Sequence, residues 1–178
     1  GEVPRDLDDF ISASQIVQAE AKKYFIEFWR TGKPYRCGIL WWNLRDGWPI
    51  LSDAITDYFF SKKLAYYYIK RVQENAIVAV NDALEVIAVN DTFKPAEGKV
   101  EISDIEGGKV LFEANFKIPP NGKTLVGNVS GLPSERGMLL IKYEIDGKEQ
   151  LNHYLYGKPP FDLKKYRKWA ESLEIKRD

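Results

Sequence analysis

The sequence predicts a two-part fold: a helix–strand–helix unit of parallel α/β type, then an antiparallel β-sandwich closed by a short helix. Three observations carry this. Apolar residues recur at three- and four-residue steps before and after one continuous apolar run, Cys37 to Leu44. From Ala76 the period changes to two, with turn dipeptides between the runs. The last twenty residues then return to helical spacing.

Composition sets the bounds. With 178 residues, 44% hydrophobic and 29% charged, the chain can bury a substantial core. Lys+Arg and Asp+Glu are both 26, so no bulk field favours nucleic acid or an acidic membrane, and binding must come from a local site. A lone cysteine, Cys37, and a lone histidine, His153, argue against a disulfide and a zinc site, and no metal or cofactor is expected. No run of ~18 apolar residues or signal-peptide pattern occurs, while an initial Gly leaves the compartment open.

Gly1 to Phe10 is acidic and aperiodic and reads as a loop. Ser12 and Gln15 have capping-box spacing, with Ile11 and Ile16 as a staple, which predicts a helix from Ser12 to about Arg30. Its apolar stripe is Val17, Ala21, Tyr24, Phe25 and Phe28, and Gly32 and Pro34 stop it. Cys37 to Leu44 is apolar on both alternations, as in a strand covered on both faces, and should be the partner of that stripe. After the Asp46-to-Asp57 loop, a helix is expected from Ser61 to about Val72. Leu64, Tyr67, Tyr68 and Ile69 should face inward, and Lys62, Lys63, Lys70 and Arg71 outward. One strand cannot make a parallel sheet, so residues 1–75 read as the last unit of a larger barrel or open sheet.

Seven β-type runs follow over residues 76–158: Ile77–Asn81, Leu84–Val89, Lys99–Ser103, Lys109–Ile118, Lys123–Val129, Met138–Ile145 and Gln150–Tyr156. Asn-Asp, Gly-Gly, Pro-Asn-Gly and Asp-Gly turns separate them, a pattern that predicts a sandwich. In the tail, residues 159–178, Leu163, Tyr166, Trp169 and Leu173 line one side of a short helix whose opposite face is basic.

The stretch Gly38-Ile-Leu-Trp-Trp-Asn-Leu-Arg-Asp-Gly-Trp-Pro, then Ser52-Asp53, Asp57-Tyr58 and Lys63-Leu-Ala-Tyr-Tyr-Tyr-Ile-Lys-Arg71, resembles the eighth strand and helix of glycoside hydrolase family 2 barrels. The likeness is closest to the β-mannosidase and exo-β-glucosaminidase branch, with its Trp-Gln/Asn-x-x-Asp-x-Trp-Pro motif. It covers residues 10–75 well and extends more weakly over the sandwich, including Val89-Asn90-Asp91, as an immunoglobulin-like domain without the usual disulfide. The resemblance implies the last helix-strand-helix of a (β/α)8 TIM barrel in a retaining exo-glycosidase, where two glutamates flank the sugar. Neither glutamate motif is found here, so no catalytic residue is assigned, and a C-terminal fragment, inactive alone, is expected. β-Mannosides lead as substrates, with β-galactosides and β-glucosaminides open.

By the same resemblance Trp42 lies on the floor of the sugar subsite, at the carboxyl end of the strand, with Asn43 and Asp46 at matching polar positions. An aromatic plane suits the C–H face of a pyranose, whereas Trp41 and Trp48 read as packing, and loop capping is an equal reading for Asp46. Arg45 and Asp53 depart from the family pattern. Asp53 and Asp57 read as loop carboxylates rather than a catalytic pair, and His153 as a surface or packed imidazole. The expected partners are a carbohydrate, in the full-length parent, and the rest of the barrel, without which the piece should self-associate. The alternative is a stand-alone carbohydrate-binding or interaction module. It would leave Cys37–Leu44 without sheet neighbours.

Overall fold

A computed structural model describes Pro4 and residues Asp6 to Ile175. Seven strands alternate and pair as the period-two runs require: β1 Ala76–Val80, β2 Glu85–Asn90, β3 Ala96–Asp104, β4 Val110–Ile118, β5 Gly122–Asn128, β6 Gly137–Ile145 and β7 Lys148–Tyr156. They form two antiparallel sheets, β1-β2-β5 and β4-β3-β6-β7. The β6–β7 hairpin turns through Asp146 and Gly147, both at positive φ (50° and 80°), the two-residue geometry that matches strand twist. Asp146 also accepts a hydrogen bond from the Glu97 amide at 3.1 Å, which ties this turn to β3.

The sheets enclose one apolar cluster. Val78, Val86, Val100, Ile102, Leu139 and Ile141 are all buried in it. β6 is apolar on both faces because its other face is covered too: Met138 and Leu140 belong to a second cluster, roofed by helices. Those helices are α1 (Leu7–Thr31), α2 (Leu64–Val72) and α3 (Leu163–Glu171). Ala19 and Ile26 of α1, Leu64, Tyr68 and Ile69 of α2, and Tyr166 and Trp169 of α3 supply that roof. The result is three layers: helices, the four-stranded sheet and the three-stranded sheet.

Four expectations need correction. Leu7 to Phe10 is helical rather than loop: Asp6 caps α1 by accepting from the Asp9 amide at 2.8 Å, and Asp8 and Asp9 favour its positive end. Residues 1–3 and 5 of that lead-in, and 176–178 of the tail, lie outside the described residues. The apolar stripe of α1 is not buried; Val17 is 69% exposed, Tyr24 46% and Phe25 42%, while Lys23 and Glu27 are inside. Cys37 to Leu44 forms no strand and, among the described residues, pairs in no sheet; its end is bonded by the Ile55 and Thr56 amides instead. Finally, α2 starts at Leu64, and Lys63 and Arg71 are held by partners instead of facing water.

α1 therefore docks by its polar side. Lys23 Nζ, Glu27, Asn152 and the His153 carbonyl form a buried set, with Lys23 to Glu27 at 2.7 Å, Lys23 to His153 O at 2.7 Å and Asn152 Nδ2 to Glu27 at 2.7 Å. Asn152 also donates to Val78 O at 2.9 Å, linking α1 to both sheets. At the helix end, Arg30 donates to the Val72 and Glu74 carbonyls (2.5 and 2.8 Å) and pairs with Asp91 at 2.6 Å. Lys23 Nζ, both Glu27 oxygens and the Asn152 amide nitrogen are each partnered, which their burial demands, whereas Arg30 Nε is buried without a partner.

Replacing Leu139 by Ala should cost about 2–5 kcal/mol of stability in urea denaturation, the usual range for a buried Leu. Val17→Ser and Phe25→Ser should each stay within about 0.5 kcal/mol of wild type at dilutions where this chain is monomeric, as at exposed positions. A loss of several kcal/mol at either would show that the stripe is covered.

Candidate functional site

The apolar run, the loop after it and the start of α2 are laid against α1 by three polar side chains spaced three and four residues apart. Gln15 Oε1 accepts from the Leu64 amide at 3.1 Å, Gln18 Nε2 donates to Asp53 O at 2.5 Å, and Lys22 Nζ donates to Trp42 O at 2.6 Å. Lys22 also lies 5.0 Å from the centre of the Trp41 ring, within cation–π range. Burial pushes the Lys22 ammonium below the ordinary lysine value, with Asp53 opposing it. Trp41 is half-buried against the helical cluster, while Trp42 projects outward with 74% of its surface exposed. The peptide between Trp42 and Asn43 is cis.

A second knot closes the loop. Asp46 is 3% exposed; one carboxylate oxygen accepts from Ser52 Oγ, and the other lies 3.4 Å from Lys63 Nζ. Ser52 Oγ in turn takes the Ala54 amide at 3.0 Å, and Lys63 reaches Ser52 O at 3.1 Å. Backbone bonds complete the base: Ile55 N to Asn43 O (3.2 Å), Thr56 N to Leu44 O (3.0 Å) and Asp46 N to Thr56 O (3.1 Å). Asn43, half-buried, and Trp42 are thus anchored through their backbones, leaving their side chains to act. The carboxylate of Asp46 is engaged inside the loop.

Around this base the surface is aromatic. Trp48, Phe59 and Phe60 are exposed, and the Arg45 guanidinium stacks 3.7 Å from the Phe60 ring centre. Trp48, expected to pack, is 65% exposed. Asp57 accepts from the Ser61 amide at 2.8 Å, as a turn cap, and Asp53 offers its backbone oxygen to Gln18. Among the described residues no group of three or more His, Cys, Asp or Glu could hold a metal ion. The arrangement can stack an apolar face and hydrogen-bond through Asn43. It has no acid–base pair positioned for proton transfer.

Reading the sequence missed Gln18, Lys22, Ser52 and Lys63 as the residues that shape this site. The first two follow Gln15 at helical steps, a signal that could have been found, whereas the Ser52 and Lys63 contacts depend on how the loop closes.

The chain matches no family model. It is 35% identical over 144 residues to β-mannosidase B of Aspergillus niger, covering 67% of this chain and 17% of that protein. With β-mannosidase B of Emericella nidulans the identity is 31% over 170 residues, covering 80% and 20%. Among solved structures, β-D-mannosidase from Dictyoglomus thermophilum superposes with a TM-score of 0.74 at 30% identity, over 88% of this chain and 20% of that one. The Amycolatopsis orientalis exo-chitosanase superposes at 0.67 and 20% identity, over the same shares, a likeness of fold. The chain spans about one fifth of the length of these relatives.

Asp46→Ala would leave Lys63 and Ser52 without their shared acceptor and should cost about 1–3 kcal/mol. Hydrogen exchange at the Ala54, Ile55 and Thr56 amides should quicken while that of β2 and β3 holds. Unchanged exchange at the loop would show that the knot is dispensable.

Proposed function

We propose, from the chain's kinship with the β-mannosidase branch of glycoside hydrolase family 2, that it is the carboxyl-terminal part of a retaining, exo-acting glycosidase. The first substrate class is the terminal β-mannoside, with other β-linked hexosides next. On this reading residues 1–75 supply the last strand and helices of a (β/α)8 barrel, 76–158 an immunoglobulin-like sandwich, and 159–178 a helical tail that pins the two together. The acid/base and nucleophile glutamates are supplied by other parts of the enzyme.

The observation that carries the reading is Trp42. It stands 74% exposed in the matching motif, held by Lys22 through its carbonyl, in a run that among the described residues pairs in no sheet. In a completed barrel that end faces the active site, where an indole can stack on the sugar. Asn43 hydrogen-bonds a hydroxyl, and Asp46 supports the pair from beneath. The uncovered stripe Val17, Tyr24, Phe25 supports a missing neighbour, because contiguous apolar surface of this kind belongs in an interface. A free-standing sugar-binding module would use the aromatics but leave that stripe bare.

On its own the 178-residue chain should not hydrolyse aryl β-mannosides, and by light scattering it should self-associate. In the intact enzyme, Trp42→Ala should lower kcat/KM about tenfold, the equivalent of roughly 1.4 kcal/mol of transition-state binding. An unchanged kcat/KM would return Trp42 to a packing role. Turnover by the isolated chain would overturn the assignment of catalysis elsewhere.

A further inference from the structure

The sole histidine of the chain is buried where neither sheet nor site needs it. His153 on β7 is 1% exposed, and its Nε2–H donates to Glu20 of α1 at 2.8 Å. The Tyr166 hydroxyl of α3 donates to the same Glu20 oxygen, and Tyr68 of α2 meets Tyr166 at 2.7 Å, oxygen to oxygen. Three helices and one strand thus converge on one imidazole–carboxylate pair. The remaining groups facing His153 are the ion pair Lys23–Glu27 on α1, the Asn152 side chain on β7, and the Tyr68 ring, edge-on at 5.0 Å.

The other imidazole nitrogen decides the behaviour of this cluster. His153 Nδ1 is buried with no hydrogen-bond partner. As the neutral Nε2–H tautomer it leaves a lone pair unmet, a small cost. A second proton would create a buried, charged N–H with no acceptor, which is far more expensive. We propose that His153 and Glu20 form an acid-released latch, holding the helical layer on the four-stranded sheet above about pH 6.5 and letting it lift below.

The sign follows from where the proton can go. Burial drives His153 below the ordinary histidine value. The latched state is therefore favoured above the free value of about 6.5 and weakens as pH falls through it, because only the lifted state binds the proton. Burial would raise Glu20, but His153, Lys23 and the Tyr166 hydroxyl together hold it well below the ordinary carboxylate range. Glu20 accordingly stays ionised in the latched state, and its own contribution fades only below about pH 4.5. Between those limits the imidazole acts alone.

The lift is local because the two apolar clusters are separate. The residues between the sheets share no member with the cluster under the helices. Losing the second leaves the sandwich its own core. α1 also carries Gln18 and Lys22, so lifting it releases the Trp42 segment. Only that last consequence rests on the sugar-binding reading.

The test is hydrogen exchange on the 178-residue chain from pH 7.5 to 4.5, corrected for intrinsic rates, with proton NMR of the single imidazole. Protection of α1 and α3 should fall by up to about tenfold per pH unit below 6.5 while β2 and β3 keep theirs, and the folded imidazole should remain neutral there. His153→Gln keeps a donor for Glu20 and should flatten the slope. Helices and strands losing protection together, no slope in the wild type, an undiminished slope in His153→Gln, or a folded imidazole titrating near 6.5 would each overturn the latch. If His153→Gln does not fold, the wild-type titration alone decides.

Discussion

The arrangement depends on a row of charges along α1, Glu20, Lys23, Glu27 and Arg30, at steps of three, four and three. A helix beside a core normally turns its apolar stripe inward and its charges to water. Here Lys23 and Glu27 are buried beneath Asn152 and the His153 carbonyl, and Arg30 is pinned to the chain junction and to Asp91. Buried ion pairs are weak stabilisers on balance, because desolvation offsets their attraction, yet mispairing them is costly. The row therefore acts chiefly as a register. It sets the rotation of α1, and that rotation leaves Val17, Tyr24 and Phe25 facing outward.

The same rotation builds the candidate site. With the charged row against β7, the face carrying Gln15, Gln18 and Lys22 meets the start of α2, the Asp53 carbonyl and the Trp42 carbonyl. The segment 37–53 lies in no sheet, so the Gln18 and Lys22 bonds, the backbone bonds to Ile55 and Thr56 and the Asp46–Ser52–Lys63 knot hold it instead. Site geometry and docking of the helical layer are thus one problem. A change that turns α1 moves Trp42.

The seven strands were legible, because alternation and Asp-Gly-type turns are local signals, and each of the seven runs became a strand with ends shifted by a few residues. α2 and α3 were legible for the same reason. The face of α1 was not: Val17, Tyr24, Phe25 and Phe28 have the spacing of a buried stripe, and nothing nearby in sequence says that Glu27 will meet Asn152, 125 residues on. Likewise Cys37–Leu44 has a strand's composition, but pairing is set by neighbours, and among the described residues no strand pairs with it. Trp42 stood out only through the family motif; its exposure needed coordinates. His153 read as a surface or packed imidazole; that it is packed, with three helices converging on it, depends on contacts distant in sequence.

The charged register is tested most directly by a double-mutant cycle between Glu27→Ala and Asn152→Ala, read by urea denaturation. Both partners are buried, 2.7 Å apart, and belong to different layers. A coupling energy of about 1–3 kcal/mol is expected for such a pair. Additivity within about 0.3 kcal/mol would contradict the account, because α1 would then be docked by something other than its polar row.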